Sequence, residues 1–240
     1  MEISIKPYGD RALLVNFEQK IDPVINEAVI ALGRSIEKEV VEGLDYLIPA
    51  YCSLTVGFDP RKINFLALSE VIQRIHKQPF TKDDSSPTLL HIPVCYEEGF
   101  GLDFDDLTQQ TGLSKSAIIK LHTSIEFRVY MLGFLPGFVY MGRLPDALFC
   151  QRKTNPRLRV QARSVGLAGY QTGIYPSEAP GGWQIIGRTP IKTFDPNRAE
   201  PFLFKAGDLV RFQQISVETF AAIEHQATVG QFNLDTRHEQ

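Results

Sequence analysis

The amino-acid sequence predicts an α+β protein of two domains, a small α+β domain over residues 1–78 and a β-rich domain over residues 89–240, joined by a linker over 79–88. Three observations carry that reading. In the first third, apolar residues switch twice between alternation and helical spacing. Pro79 to Thr88 is rich in Pro, Asp, Ser and Lys and has little to bury. From Glu126 onward, short apolar pieces are separated by Gly- and Pro-containing turns, the pattern of a β-barrel or sandwich.

Each element follows from local chemistry. Ile3 to Ile5 and Ala12 to Phe17 flank Pro7-Tyr8-Gly9-Asp10, whose Gly and Asp suit a tight turn, so a hairpin is expected. Asp22-Pro23 supplies an N-cap and a proline at the first helical position, and Ile25, Ala28, Val29, Leu32 and Ile36 recur at helical spacing until near Gly43. Leu44 to Ile48 and Leu54 to Phe58 form a second strand pair, and Asp59-Pro60 opens a helix carrying Phe65, Leu68, Ile72 and Ile75 on one face. Strand, strand, helix, twice over, buries both helices on one face of a small sheet.

In the second domain a strand is expected over Leu89 to Tyr96. Asp103 caps a short helix that stops at Gly112, and Ser114 caps another with Ala117, Ile118 and Leu121 inward. Strands are expected at Phe127 to Leu132, Arg157 to Val160, Trp183 to Ile186, Phe202 to Phe204 and Leu209 to Phe212, with a closing helix over Val217 to His225.

Charge and composition exclude several functions. A net charge of −3 and a pI of about 6.0 leave no diffuse positive field for a phosphate backbone, so no nucleic-acid partner is expected. Met1 to Lys6 lacks a basic, then apolar, leader, and the run from Val129 to Met141 is broken by Gly133, Pro136 and Gly137. A cytoplasmic protein without a membrane partner is therefore expected. Cys52, Cys95 and Cys150 form no C-x-x-C pair and the five histidines are scattered, so no protein-bound metal is expected. There is no G-x-x-x-x-G-K-[ST] loop and no G-x-S-x-G elbow. Lys115, Lys120 and Lys192 stand in no biotin-attachment context, so no attached biotin is expected.

The candidate binding groups are clustered late in the chain. Gly133, Gly137, Gly181 and Gly182 either bring backbone amides near an anion or simply shape barrel corners. In a strand Arg157, Arg159, Gln161 and Arg163 project to one face, and with Arg152 they offer bidentate donors to a carboxylate or phosphate; for Arg159 and Arg163 a solvated face is an equal reading. Tyr140, Tyr170, Tyr175 and Trp183, the only tryptophan, either line a pocket or a partner surface or, as aromatic residues at barrel turns more often do, pack in the core. The pocket reading rests most on Trp183 beside Gly181-Gly182 and least on Tyr170. Asp103, Asp105 and Asp106 are better explained as helix N-terminal charge than as metal ligands.

Gly133-Phe134-Leu135-Pro136-Gly137-Phe138-Val139-Tyr140, followed by Pro156-Arg157, Ser164-Val165-Gly166, Gly169-Tyr170-Gln171, Ile174-Tyr175-Pro176, Pro180-Gly181-Gly182-Trp183 and Gly187-Arg188-Thr189-Pro190, resembles one family closely. That family holds the B subunit of 5-oxoprolinase, proteins once labelled allophanate hydrolase subunit 1, the sporulation-kinase inhibitor KipI and part of the carboxyltransferase domain of urea carboxylase. The resemblance implies that the β-rich domain is a cyclophilin-like β-barrel. It implies a non-autonomous part of a 5-oxoprolinase, one that touches the C subunit directly and works with the A subunit to convert 5-oxoproline to glutamate. The reaction uses ATP, whose Mg2+ travels with the nucleotide. The alternatives it carries are a binding module whose partner is a histidine kinase, and half of a biotin-dependent carboxyltransferase. The residues expected to bind substrate or nucleotide are Gly137, Tyr140, Arg152, Arg157, Gln171, Tyr175, Gly181, Gly182, Trp183 and Arg188, with no general base assigned. The chain departs from the family pattern at Gln151 and Gln161, each where a proline is usual, and at Arg163, where a glycine normally precedes the serine. Arg163 then either strains the loop, fills the site, or offers its charge to a ligand.

Overall fold

The structure, a computed structural model, describes residues 1–78 and 87–238. The expected linker therefore lies outside the described residues but for its last two positions. The chain divides into two compact units, Met1–Ser85 and Ser86–Gln240. None of the described helices is long and apolar enough to cross a membrane.

In the first unit the order is β1 (Ser4–Pro7), β2 (Ala12–Asn16), α1 (Pro23–Lys38), β3 (Leu44–Pro49), β4 (Ser53–Phe58) and α2 (Phe65–His76). The strands are antiparallel in the order β1-β2-β4-β3. Leu13, Val15, Leu54 and Val56 occupy alternate positions and share one buried cluster with Val29, Leu32, Ile36, Leu68 and Ile72 of the helices. Asp22 accepts the Val24 N–H as the cap of α1. The start of α2 differs from expectation. Its cap is Asn64, which accepts the Ala67 N–H, because the apolar face begins only at Phe65. Asp59 instead binds the backbone N–H and guanidinium of Arg61 in a turn before the helix.

The second unit contains β5 (Thr88–Cys95), α3 (Phe104–Thr111), α4 (Lys115–Thr123), β6 (Glu126–Leu132), β7 (Val139–Gly142), β8 (Arg157–Val160), β9 (Ser164–Ala168), β10 (Gln171–Ile174), β11 (Ala179–Gly181), β12 (Gln184–Arg188), β13 (Leu209–Ile215), α5 (Val217–Thr228) and β14 (Thr236–His238). Among the described residues, seven strands run β12-β9-β10-β7-β6-β13-β5 and close into a barrel where Arg188 of β12 returns to Cys95 of β5. The pairing of β13 with β5 is parallel; the other barrel pairings are antiparallel. The protein is thus α+β, with helices and a small sheet in one unit and a barrel in the other. The segment Phe202 to Phe204 is not a strand; it contributes a single bridge from Phe202 to Phe194.

Strand alternation gives the barrel wall two apolar surfaces. Val139, Met141, Val165, Leu167 and Ile186 belong to the interior cluster with Ile92, Val94, Phe127, Val129, Val210 and Phe212. Their neighbours Phe138, Tyr140, Ala168 and Ile185 belong to a second cluster with Val160, Tyr175, Ala179 and Trp183. That outer layer is closed by the two-stranded ribbon β8–β11.

One polar chain runs through the core. Helix α4 places His122 in stacking contact with Phe212, at 4.4 Å between ring centroids. Thr172 Oγ1 donates to the Gly166 carbonyl at 3.2 Å, so it accepts from His122 Nε2 at 3.0 Å, and Nδ1 accepts from Tyr96 Oη at 2.9 Å. Burial pushes the imidazole down to about 3, so it stays neutral. The unfolded chain protonates near the ordinary value of 6.5, so the stabilisation is complete above pH 6.5 and is lost as pH falls toward 3. The expected slope for this group is about 1.4 kcal/mol per pH unit. Urea unfolding of the wild type and of His122→Gln between pH 7 and pH 4 checks this; the variant should show the smaller acid loss.

Candidate functional site

A cavity of about 520 Å³ opens on the outer barrel surface. Buried Phe138, Tyr175, Ala168 and Trp183 form its floor, while Phe134, Phe149 and Arg152 stand exposed around it. The floor depends on two glycines. Gly166 of β9 lies opposite Gly173 of β10, and this strip without side chains receives the Trp183 indole. A Cβ on Gly173 would meet the Val139 carbonyl at 2.6 Å and the indole at 3.0 Å. Trp183 then packs edge-on against Phe138 at 5.4 Å and Tyr140 at 5.8 Å, and Phe138 against Tyr175 at 5.0 Å. Burial raises the Tyr140 phenol, and it pushes Tyr175 up to about 12 against the opposing hydrogen bond from the Trp183 amide. Both remain neutral at physiological pH and keep an O–H to donate.

The cavity brings together Tyr140, Arg152, Gln171, Tyr175, Gly181 and Trp183 from the residues expected to bind ligand. Gly182 lies beside it, with Arg152 Nε 3.7 Å from where its Cβ would stand. Gly137, with φ of +84°, lies against Phe194 instead, and its carbonyl accepts from Thr193 at 3.1 Å. The Gly133 amide is already bonded to the Phe138 carbonyl at 3.1 Å. Arg188 lies elsewhere, between the rings of Phe100 and Phe220 at 5.0 and 5.1 Å and bonded to Gln161. Arg163 has φ of +69°, the backbone a glycine would adopt, and its guanidinium is taken up by Glu224 at 2.6 Å and the Pro190 carbonyl at 3.0 Å. It thus occupies the left-handed position and ties β9 to α5 rather than entering this cavity. Phe134, Phe138, Phe149 and Gly173 are not among the expected site residues; the family-like Gly-Phe-Leu-Pro-Gly-Phe run is the available signal for the first two.

The two arginines expected to act alike differ in their surroundings. Arg157 donates both Nη atoms to Asp103, at 2.7 and 2.6 Å. Asp103, only 2% exposed, also accepts from Lys153 Nζ at 2.8 Å and from the Ile185 amide at 2.7 Å. It stands at the cap position of α3 but makes no side-chain cap bond, contrary to expectation, because these three partners take its oxygens. Burial raises this carboxyl, and the bonds from Arg157, Lys153 and Ile185 outweigh it, leaving the group below its ordinary value.

Arg152, by contrast, makes no hydrogen bond or ion pair among the described residues, while both its neighbours are fixed. The Gln151 amide donates to Gln110 at 2.8 Å, the Gln151 carbonyl accepts from Gln184 at 3.0 Å, and the Lys153 amide donates to the Gly182 carbonyl at 2.7 Å. The backbone is held on both sides while the guanidinium itself is uncommitted among the described residues. Asp103→Ala strands Arg157 and the Ile185 amide and leaves Lys153 with Asp106 alone, so a loss of about 3–5 kcal/mol is expected on denaturant unfolding; a loss below about 1 kcal/mol would show that the loop is held by other contacts.

The carboxyltransferase-domain family, subdomains C and D, matches residues 3–204 of the chain. The chain is 36% identical over 233 residues to the B subunit of 5-oxoprolinase from Bacillus subtilis, covering 93% of this chain and 97% of that protein. It is 40% identical over 214 residues to the B subunit of 5-oxoprolinase from Haemophilus influenzae, covering 88% and 97%. Among solved structures, TTHA0988 superposes with a TM-score of 0.76 at 34% identity over 86% of this chain, which spans 40% of that one. The Kluyveromyces lactis urea amidolyase superposes with a TM-score of 0.83 over 99% of this chain and 16% of that one; at 21% identity it shares the fold. The chain belongs to the carboxyltransferase family of subdomains C and D, whose members include proteins named as the B subunit of 5-oxoprolinase.

Proposed function

We propose that this chain is the B subunit of an ATP-dependent 5-oxoprolinase, acting with the C and A subunits to open 5-oxo-L-proline to L-glutamate. The observation that carries the reading is Arg152, a cation held in place by its neighbours yet left without a partner among the described residues, beside a floor of Trp183, Tyr140 and Phe138. An uncommitted guanidinium next to an aromatic surface suits a small cyclic carboxylate. A nucleoside triphosphate carries several negative charges, and of the residues lining this cavity Arg152 alone carries a formal positive charge, so the cavity fits the lactam better than ATP. We assign the nucleotide, with its Mg2+, to surfaces completed by the C subunit.

The chemistry explains why such a chain is not autonomous. A five-membered lactam is a poor electrophile; transfer of the γ-phosphoryl group from ATP to its carbonyl oxygen releases ADP and gives an O-phosphorylated imidate. Water adds to the ring carbon, the adduct breaks the C–N bond to free the amine and leave an acyl phosphate, and a second water hydrolyses that to the carboxylate and inorganic phosphate. Both reactants are anionic, and holding them in contact depends on positioning, which half a site cannot provide. In this reading Arg152 binds the substrate carboxylate, the Tyr175 phenol offers a donor to a polar atom of the ring, and Trp183 supports its face.

The isolated chain is expected to leave both ATP and 5-oxoproline unchanged, and mixing with the cognate A and C subunits to give 5-oxoproline-dependent ATP hydrolysis and glutamate. Turnover by the chain alone would sink the split-site reading. In the mixture, Arg152→Ala should raise KM for 5-oxoproline by about 10- to 100-fold, the value of a charge-assisted hydrogen bond, with melting temperature unchanged. Arg152→Lys should recover part of the loss. An unaltered KM in Arg152→Ala would remove this arginine from the site.

A further inference from the structure

The loop joining β6 to β7 carries an exposed aromatic residue in a conformation that disfavours it. Phe134 has φ of +65°, in the left-handed region where a Cβ crowds the backbone. Its ring is 63% exposed and touches the edge of Phe138, with centroids 5.7 Å apart at 85°. The loop itself is well defined: the Leu135 amide donates to the Gly133 carbonyl at 2.8 Å, and the Phe138 amide to the Leu135 carbonyl at 2.9 Å. Glycine would satisfy this backbone at lower cost, and so exposed a ring returns little burial. Strain without compensating packing clusters where a side chain is held for a ligand.

Phe134 lines the same cavity as Arg152, Tyr140 and Trp183. At about 520 Å³ that cavity is far larger than a lactam the size of proline, so the floor and Arg152 by themselves leave such a ligand loosely held. Phe134 adds a second aromatic surface on the exposed side of this lining.

We propose that Phe134 is a specificity-determining residue that contacts the planar ring of the cyclic amide from the solvent side, opposite the Trp183–Tyr140 floor. The inference rests on the oxoprolinase reading above and adds to it the group that distinguishes a flat ring from an open-chain carboxylate. The contact is made equally in the ground and transition states, so it acts on KM and not on kcat.

The test uses the reconstituted complex with 5-oxoproline and ATP, comparing wild type with Phe134→Gly and Phe134→Tyr. In Phe134→Gly, KM for 5-oxoproline should rise about three- to tenfold, as expected for one aromatic contact, with kcat and KM for ATP unchanged. The melting temperature of the same variant should equal or exceed that of wild type, since the strain is relieved. A ring needed only for folding would produce the reverse, a lower melting temperature with an unaltered KM. Phe134→Tyr should restore the wild-type KM. Turnover by wild type with an unchanged KM in Phe134→Gly overturns this inference alone. No turnover by the wild-type complex overturns the oxoprolinase reading and this inference with it.

Discussion

The buried carboxylate of Asp103 is the interaction on which the outer half of the second unit depends. One group joins the start of α3, the amide of Ile185 on β12, and the two cations Lys153 and Arg157 that bracket the loop before β8. These segments lie far apart in sequence, and apolar contacts such as Phe104 and Leu107 with Ile186 bring them together without fixing their directions. A charge taken out of water must be matched by donors in defined directions, and that requirement fixes geometry more tightly than packing does. Given the clamp, the ribbon β8–β11 lies over the outer wall and the loop from Gln151 to Lys153 follows.

Above this clamp, the barrel wall separates two kinds of work. Its inward residues form an apolar core interrupted by a saturated chain from Tyr96 through His122 and Thr172 to Gly166, in which every donor has an acceptor. Its outward residues are rings and glycines that make a shallow floor. The same short strands serve both: β9 sends Val165 and Leu167 inside and presents Gly166 and Ala168 outside.

The first unit is legible in outline from its sequence, because its helices and strands are long enough for periodicity to show; the caps Asp22 there and Ser114 in the second unit act as their residue types suggest. Asp59 misleads, since Asp-Pro also begins a turn, and only the position of the apolar face distinguishes the two. Strands β7, β9 and β10 are hidden from such a reading. They are four or five residues long and interrupted by Gly142, Gly166 and Gly173, so neither alternation nor β-propensity accumulates. At the site, the aromatic and glycine residues are recognisable by their clustering and family likeness. The difference between Arg152 and Arg157 is not, because it is made by Asp103, a residue 54 positions from Arg157 whose own type suggests a helix cap. Which of two arginines is free is a fact about tertiary neighbours.

Arg163 carries a consequence for how this sequence can change. A side chain in the left-handed region costs about 1–2 kcal/mol relative to glycine, and here the outlay is offset by the ion pair to Glu224 and the bond to Pro190. The two positions are therefore not independent in mutational terms. Loss of Glu224 beside Arg163 leaves the strain and a largely buried guanidinium without its counter-charge, held by the Pro190 carbonyl alone, whereas the same loss beside glycine removes a surface acid from a helix and little else. Substitutions at 224 that are neutral in a glycine background are harmful in this one, and a return to glycine at 163 releases the constraint on α5. The arginine and the glutamate are bound by epistasis, and of the two orders in which such a pair can arise, acid first is the one that never passes through the strained and unpaired state.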